Sequence, residues 1–235
     1  MNTASASPAE RPTRTLVWDA PVRVFHWLMV ASFAVAWLTA ESERWQLAHV
    51  TAGYTMAGLV AFRVVWGLVG TRYARFTAFV RSPWTAVDYL MVMLLERRPQ
   101  RHTGHNPAGG LAILALLTLA ALTAASGWAN YNELAGHWME DVHEVLANTM
   151  LGLVALHVVA VVASSALHRE NLVGAMIHGR KPVPRAQGIR SPWRSVAALL
   201  LAAVLAFWWL QWESAPQQPQ PQQERAAHRH KHQGH

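Results

Sequence analysis

Apolar residues in this chain gather into five long blocks, at 21–40, 47–69, 108–128, 141–168 and 195–212, with polar residues confined to the connections. Neither strand-like alternation nor a single apolar stripe describes them. A hydrocarbon layer about 30 Å thick takes about 20 residues of helix at 1.5 Å per residue, so the pattern predicts five membrane-spanning helices. Pro21 suits the first turn of the first helix, with Trp27 and Trp37 near opposite interfaces, and Asn106 and Pro107 form a cap and first turn for the third. The stretch 82–95 is apolar but short and interrupted by Asp88, which predicts a helix lying in the interface. Residues 1–20 predict a short disordered tail with no signal-peptide core, and 213–235, a Gln/Pro run ending in HRHKHQGH, a second one.

Composition agrees with an all-α polytopic membrane protein: 235 residues, 52% hydrophobic, 14% charged, 12 Trp and no Cys. Without cysteine there are no thiolate-held iron–sulfur clusters, no covalent CxxCH haem and no disulfides, so a redox centre must use histidine, methionine or oxygen ligands. The net charge of +7 first suggests an anionic partner. The basic residues, however, sit in the connections: Arg72, Arg75, Arg81, Arg97, Arg98 and Arg101 in one, Arg169, Arg180, Lys181, Arg185, Arg190 and Arg194 in another, on the side of the N-terminal arginines. The opposite connections hold Glu41, Glu43, Glu133, Glu140 and Asp141 against Arg44 alone. Lipid topology accounts for this distribution and nucleic acid is not implied. The positive-inside rule puts the N-terminus in the cytoplasm and the acidic loops and C-terminal tail outside, which for a bacterial inner membrane is the periplasm.

Histidines supply the candidate chemistry. His143 and His157, fourteen positions apart on the fourth predicted helix, return to within roughly 40° of one face and lie about 21 Å apart along it. A single intramembrane histidine is ordinarily a hydrogen-bonded packing residue; a spaced pair acquires meaning if other helices supply partners at the same depths. Here they do: His49 enters the second helix from the outer side, to pair with His143, and His26 enters the first from the inner side, to pair with His157. Two levels with two imidazoles each are what two bis-histidine haems require. Gly53, one turn after His49, leaves room for a porphyrin or for close helix packing. Arg63, fourteen positions after His49, reaches the inner level, where a haem propionate would pair it; snorkelling to the headgroups is the alternative. Zinc would want three or four ligands converging at one level, which this spacing does not offer. The terminal HRHKHQGH is a transition-metal site or a solvated tail.

The segments VWDAPVRVFHW, AFRVVWGLVGTRYARF, GHNPAGG and DVHEVLAN followed by ALHVVAVVASSALHRENLVGAMIHGRK resemble the bacterial membrane cytochrome b family that includes cytochrome b561 and the cytochrome b subunit of nickel–iron hydrogenases. The resemblance spans 16–181. It implies a four-helix transmembrane bundle over 21–181 with two non-covalent b-type haems ligated by His26, His49, His143 and His157, with the fifth helix at 195–212 an addition. It further implies electron transfer between a periplasmic redox partner, either a hydrogenase or dehydrogenase subunit or a c-type cytochrome, and ubiquinone or menaquinone in the membrane. Such a chain is an oxidoreductase subunit of a respiratory chain more than a self-contained catalyst. His105, at the inner entrance of the third helix, is either a donor to a quinone headgroup or a helix-start residue with local contacts. Two other functions remain compatible with the residues: a stand-alone superoxide oxidase that reduces quinone, and a transporter whose histidines line a metal or ion path.

Overall fold

The computed structural model describes residues 13–80, 82, 84–85, 87–88, 91–92 and 103–215. Long helices α1 (Ala20–Thr39), α2 (Gln46–Val69), α3 (Pro107–Tyr131), α4 (Trp138–His168) and α6 (Arg194–Glu213) fall on the five apolar blocks, and a short α5 (Leu172–His178) follows α4. All five long helices have the length and composition to cross a membrane. The interfacial helix expected at 82–95 falls mostly outside the described residues, as does the His-rich end of the tail expected at 213–235.

Local chemistry sets the helix starts. Asp19 caps α1 by accepting the Val22 N–H on Oδ1 at 2.8 Å, with Pro21 in the first turn. Its Oδ2 accepts from Trp66 Nε1 at 3.1 Å and Thr71 Oγ1 at 2.6 Å, so one fully buried carboxylate joins the start of α1 to the end of α2. Asn106 caps α3 through Gly109 N–H at 2.6 Å, with Pro107 next, as the sequence predicts.

The disordered tail expected over 1–20 is corrected from Thr13 onward. Strand β1 (Thr13–Leu16) pairs antiparallel with β2 (Arg180–Val183), Thr13 opposite Val183 and Leu16 opposite Arg180. The N–H groups of Val17 and Trp18 then both donate to the carbonyl of Gly179, and Val17, Trp18 and Asp19 are buried. Gly179 has a φ of +78°, and a Cβ there would stand 2.6 Å from the Trp18 carbonyl oxygen, so glycine is needed for both the turn and the approach. The partner strand is more than 160 residues away in sequence, and local composition carries no trace of it.

Helix α1 packs on α2, α2 on α3 and α3 on α4, while α6 lies against α1 and reaches α2, where Trp208 Nε1 donates to Thr55 Oγ1 at 2.9 Å. A buried layer of Met56, Val60, Ala120 and Met150, flanked by Met29 and Phe33, fills the middle of the bundle. Met150 is the one described residue of α4 that is buried; Val145, Leu156, Val158, Val159 and Val162 are exposed. In water such a face would be an interaction patch, whereas against lipid tails it is the expected solvent-facing side.

Candidate functional site

The strands mark one end of the bundle; the other carries Glu41, Glu43, Glu133, Glu140 and Asp141 at the ends of α1 and α3 and the starts of α2 and α4. Histidines occupy both ends.

At the acidic end the rings of His49 (α2) and His143 (α4) face each other, with centres 6.2 Å apart and planes at 79°. His49 Nδ1 lies 2.8 Å from the carbonyl oxygen of Ala36 and His143 Nδ1 lies 3.0 Å from that of Thr123. A carbonyl can only accept, so both Nδ1 atoms carry the proton and both Nε2 atoms keep a free lone pair. Ser126 Oγ donates to the same Thr123 carbonyl at 3.0 Å and stands 3.1 Å from His143 Nδ1. Main-chain carbonyls that fix ring orientation and tautomer are the usual outer partners of metal-ligating histidines. Two imidazoles on opposite sides of one metal ion, each bonded at about 2 Å, place their ring centres roughly 6 Å apart. The pair therefore fits as two ligands of one metal ion. A Cβ added to Gly53 would meet nothing within 4 Å, so the face of α2 beside His49 is open for a flat group.

The strand-bearing end carries His26 on α1 and His157 on α4, and His26 Nδ1 is buried with no hydrogen-bond partner among the described residues. Arg63 is 3% exposed, which excludes snorkelling. Its guanidinium lies 5.0 Å from the ring centre of Phe76 and 5.8 Å from that of Phe79, and its Nη1 is buried with no partner among the described residues. His105 packs against Trp18 at 4.5 Å and Phe79 at 4.8 Å. Burial, and after it the positive charges of Arg63, Lys181 and His157, pushes its pKa down to about 3, so the ring is neutral at ordinary pH. A buried cation with a nitrogen lacking a partner among the described residues, at the end that carries His26 and His157, suits a ligand with a carboxylate edge, and this donor set fits a haem.

Among the described residues no three His, Cys, Asp or Glu side chains converge on a point. Several contributors escape a reading of the sequence. Gly127 on α3 is one: a Cβ there would stand 2.8 Å from His143 Cε1. The carbonyls of Ala36 and Thr123, the Asp19 carboxylate and the Phe76–Phe79 turn are others. None of these roles has a sequence signal, because each acts on a residue of another element whose position is fixed only by packing; for Asp19 the cap of α1 is local, and it is the bonds to Trp66 and Thr71 that are hidden.

A bundle of membrane-length helices with facing imidazoles near its ends defines a membrane haem protein. The chain belongs to the prokaryotic cytochrome b561 family, whose model matches residues 17–179. It is thus a multi-pass b-type cytochrome, a haem b protein of electron transfer. Among its relatives is a probable Ni/Fe-hydrogenase B-type cytochrome subunit of Bradyrhizobium diazoefficiens, 26% identical over 215 residues, covering 73% of this chain and 87% of that one. One of the same description from Azotobacter vinelandii is 27% identical over 213 residues, 72% of this chain and 89% of its own. The probable Ni/Fe-hydrogenase 1 B-type cytochrome subunit of Escherichia coli K12 is 29% identical over 141 residues, 50% and 60% respectively. No solved structure matches the chain.

Proposed function

We propose that the protein is a di-haem electron conduit across the bacterial inner membrane, with one haem b held by His49 and His143 and a second by His26 and His157. The observation that carries this reading is the commitment of both acidic-end Nδ1 atoms to main-chain carbonyls, which leaves both Nε2 lone pairs free on rings whose centres stand 6.2 Å apart. When bound, the haems supply one-electron chemistry at each level. The chain's own residues orient the imidazoles, keep the intervening layer of Met56, Phe33 and Met150 dry, and set Arg63 against a propionate. Gly53 leaves the porphyrin room. The haem-binding unit comprises residues 21–181, and the helix at 195–212 is an addition to it.

In this reading the N-terminus and strands are cytoplasmic and the acidic end periplasmic, which the distribution of arginines supports. The partner at the acidic end is a hydrogenase, a proposal that rests on what the relatives are described as serving, and the membrane carrier is ubiquinone or menaquinone. A visible spectrum of detergent-purified protein before and after dithionite is the first test: reduced low-spin haem gives sharp α and Soret bands, and a colourless preparation from haem-replete cells ends the proposal. Replacing His49 or His143 by alanine removes one haem, and replacing His26 or His157 removes the other. Equal loss of both haems from every variant would defeat the pairing while leaving the cytochrome.

A further inference from the structure

Arg63 lies within α2 and His105 just before α3, on either side of the long connection, yet both pack on Phe79, the guanidinium at 5.8 Å and the imidazole at 4.8 Å between centres. Each has one buried nitrogen with no hydrogen-bond partner among the described residues, Arg63 Nη1 and His105 Nδ1. The nearby carboxylate, Asp19, already accepts three hydrogen bonds from Val22, Trp66 and Thr71 and makes none to Arg63. The cluster is built and not incidental. A Cβ on Gly67 would collide with the Phe76 ring that lies under the guanidinium, and a Cβ on Gly110 would stand 2.6 Å from the Phe79 carbonyl. Two glycines thus let the 76–79 turn close on α2 and on the start of α3.

Two buried nitrogens without a partner among the described residues, one of them on a full positive charge, ask for a single acceptor carrying negative charge. His105 packs against Trp18, which follows strand β1, so that acceptor lies at the strand-bearing end, the end that carries His26 and His157. We propose that His105 and Arg63 together seat one propionate of the haem at this end, Arg63 as the counter-charge and His105 as a neutral N–H donor on Nδ1. This deepens and rests on the di-haem reading. His105 is then a positioning residue for the haem and not a contact of the mobile quinone. Although its ring also borders a cavity of about 460 Å³ beside Tyr73, Thr103 and Gln187, its unpaired nitrogen is buried.

A hydrogen-bonded propionate bears less negative potential on the iron, so losing the donor favours the ferric form. The test uses full-length holoprotein carrying His105→Leu or His105→Gln. The strand-end component of a redox titration is identified as the one retained in His143→Ala, and the propionate-bending bands are followed by resonance Raman. In His105→Leu the equilibrium of that haem moves about tenfold toward the oxidised form, about 59 mV lower for one electron. Its propionate bands move with it, while the acidic-end haem is unchanged. His105→Gln, which keeps an N–H donor, recovers most of both shifts. Where the leucine variant does not assemble, the glutamine variant decides: propionate bands at or near the wild-type position support the seat, and loss of them overturns it. Unchanged potential and bands in a His105→Leu protein with both haems bound overturn this inference alone and leave the di-haem reading standing. A wild-type protein lacking the strand-end haem overturns both. A lipid phosphate as the acceptor would move neither propionate bands nor potential, and so counts against the proposal.

Discussion

The imidazole planes of His49 and His143 stand at 79° to each other across the acidic end of the bundle. The angle is imposed from outside the pair, because the Ala36 carbonyl holds one ring and the Thr123 carbonyl the other. If the two rings ligate one haem iron, as proposed, with their planes near perpendicular, the two iron orbitals that parallel imidazoles would separate stay close in energy. The oxidised acidic-end haem should therefore give a highly anisotropic low-spin EPR signal with its largest g value at unusually low field. A rhombic spectrum typical of parallel imidazoles would show that the rings turn on binding and that the two carbonyls do not govern them.

Two glycines near His49 and His143 should respond differently to alanine. At Gly127 the added methyl meets the His143 ring at 2.8 Å and displaces it from Thr123. A cost of about 1–3 kcal/mol in thermal stability is expected, together with loss of the acidic-end haem. At Gly53 the methyl meets no protein atom, and alanine is the better helix former by about 1 kcal/mol. Haem-free Gly53→Ala should be as stable as the parent or more so, while its haem content falls. Retention of full haem content in Gly53→Ala would remove Gly53 from the haem site.

Much of this architecture is visible in the sequence, for a physical reason: in a membrane, span length, aromatic belts and loop charge are each written locally. Pro21, Asn106 and Pro107 act where they stand. Helical periodicity sorts His143 and His157 onto one face, and loop charge assigns His26 and His49 to opposite ends. What the sequence conceals is whatever depends on a second element. Strand β1 meets a partner only because α5 turns the chain back at Gly179. Trp18 and Asp19 are part of a buried plug that ordinary tail-like residues precede. Arg63 is legible as a buried cation, but Phe76 and Phe79 beside it depend on a glycine contact four residues further along α2.

Asp19 should be the most sensitive polar residue outside the proposed haem ligands. Asp19→Ala removes the α1 cap, worth about 1 kcal/mol, and leaves the buried Trp66 indole N–H without an acceptor, worth about 1–3 kcal/mol more. Asp19→Asn retains an oxygen for the cap and should cost less. Thermal unfolding in detergent gives the comparison, and equal losses from both substitutions would mean that the oxygen accepting from Trp66 and Thr71, and not the cap, carries the effect.

His105 predicts a pH dependence with a definite sign in the haem-free chain. Its pKa falls to about 3 in the folded state from an ordinary value of 6.5, so between these values the unfolded chain binds the extra proton. The stability tied to a neutral His105 is complete above about pH 6.5 and is lost as pH falls toward 3, at about 1.4 kcal/mol per pH unit. Measured as the difference between wild type and His105→Gln, which cancels the other titrating groups, this slope should appear in denaturant unfolding below pH 6.5. Parallel stability curves for the two proteins would show that the ring is hydrated or paired when folded.

Helix α6 supplies no histidine to either pair, and its one polar tie to the bundle is the bond from Trp208 Nε1 to Thr55 Oγ1 among the described residues. Thr55 also donates its own proton to the Thr51 carbonyl at 2.7 Å, so removing the indole leaves no orphaned donor behind. Trp208→Phe should therefore cost about 0.5–1.5 kcal/mol, the net value of one hydrogen bond, and not the larger penalty of an unsatisfied buried group. Because Thr55 lies on α2 between the levels of His49 and Arg63, the same substitution probes whether the fifth helix steadies the ligand-bearing helix. Unchanged haem content and unchanged midpoint potentials in Trp208→Phe are expected of a helix that packs on the cytochrome without entering its redox sites. A selective shift in the acidic-end haem would instead show that α6 sets the position of His49 through α2.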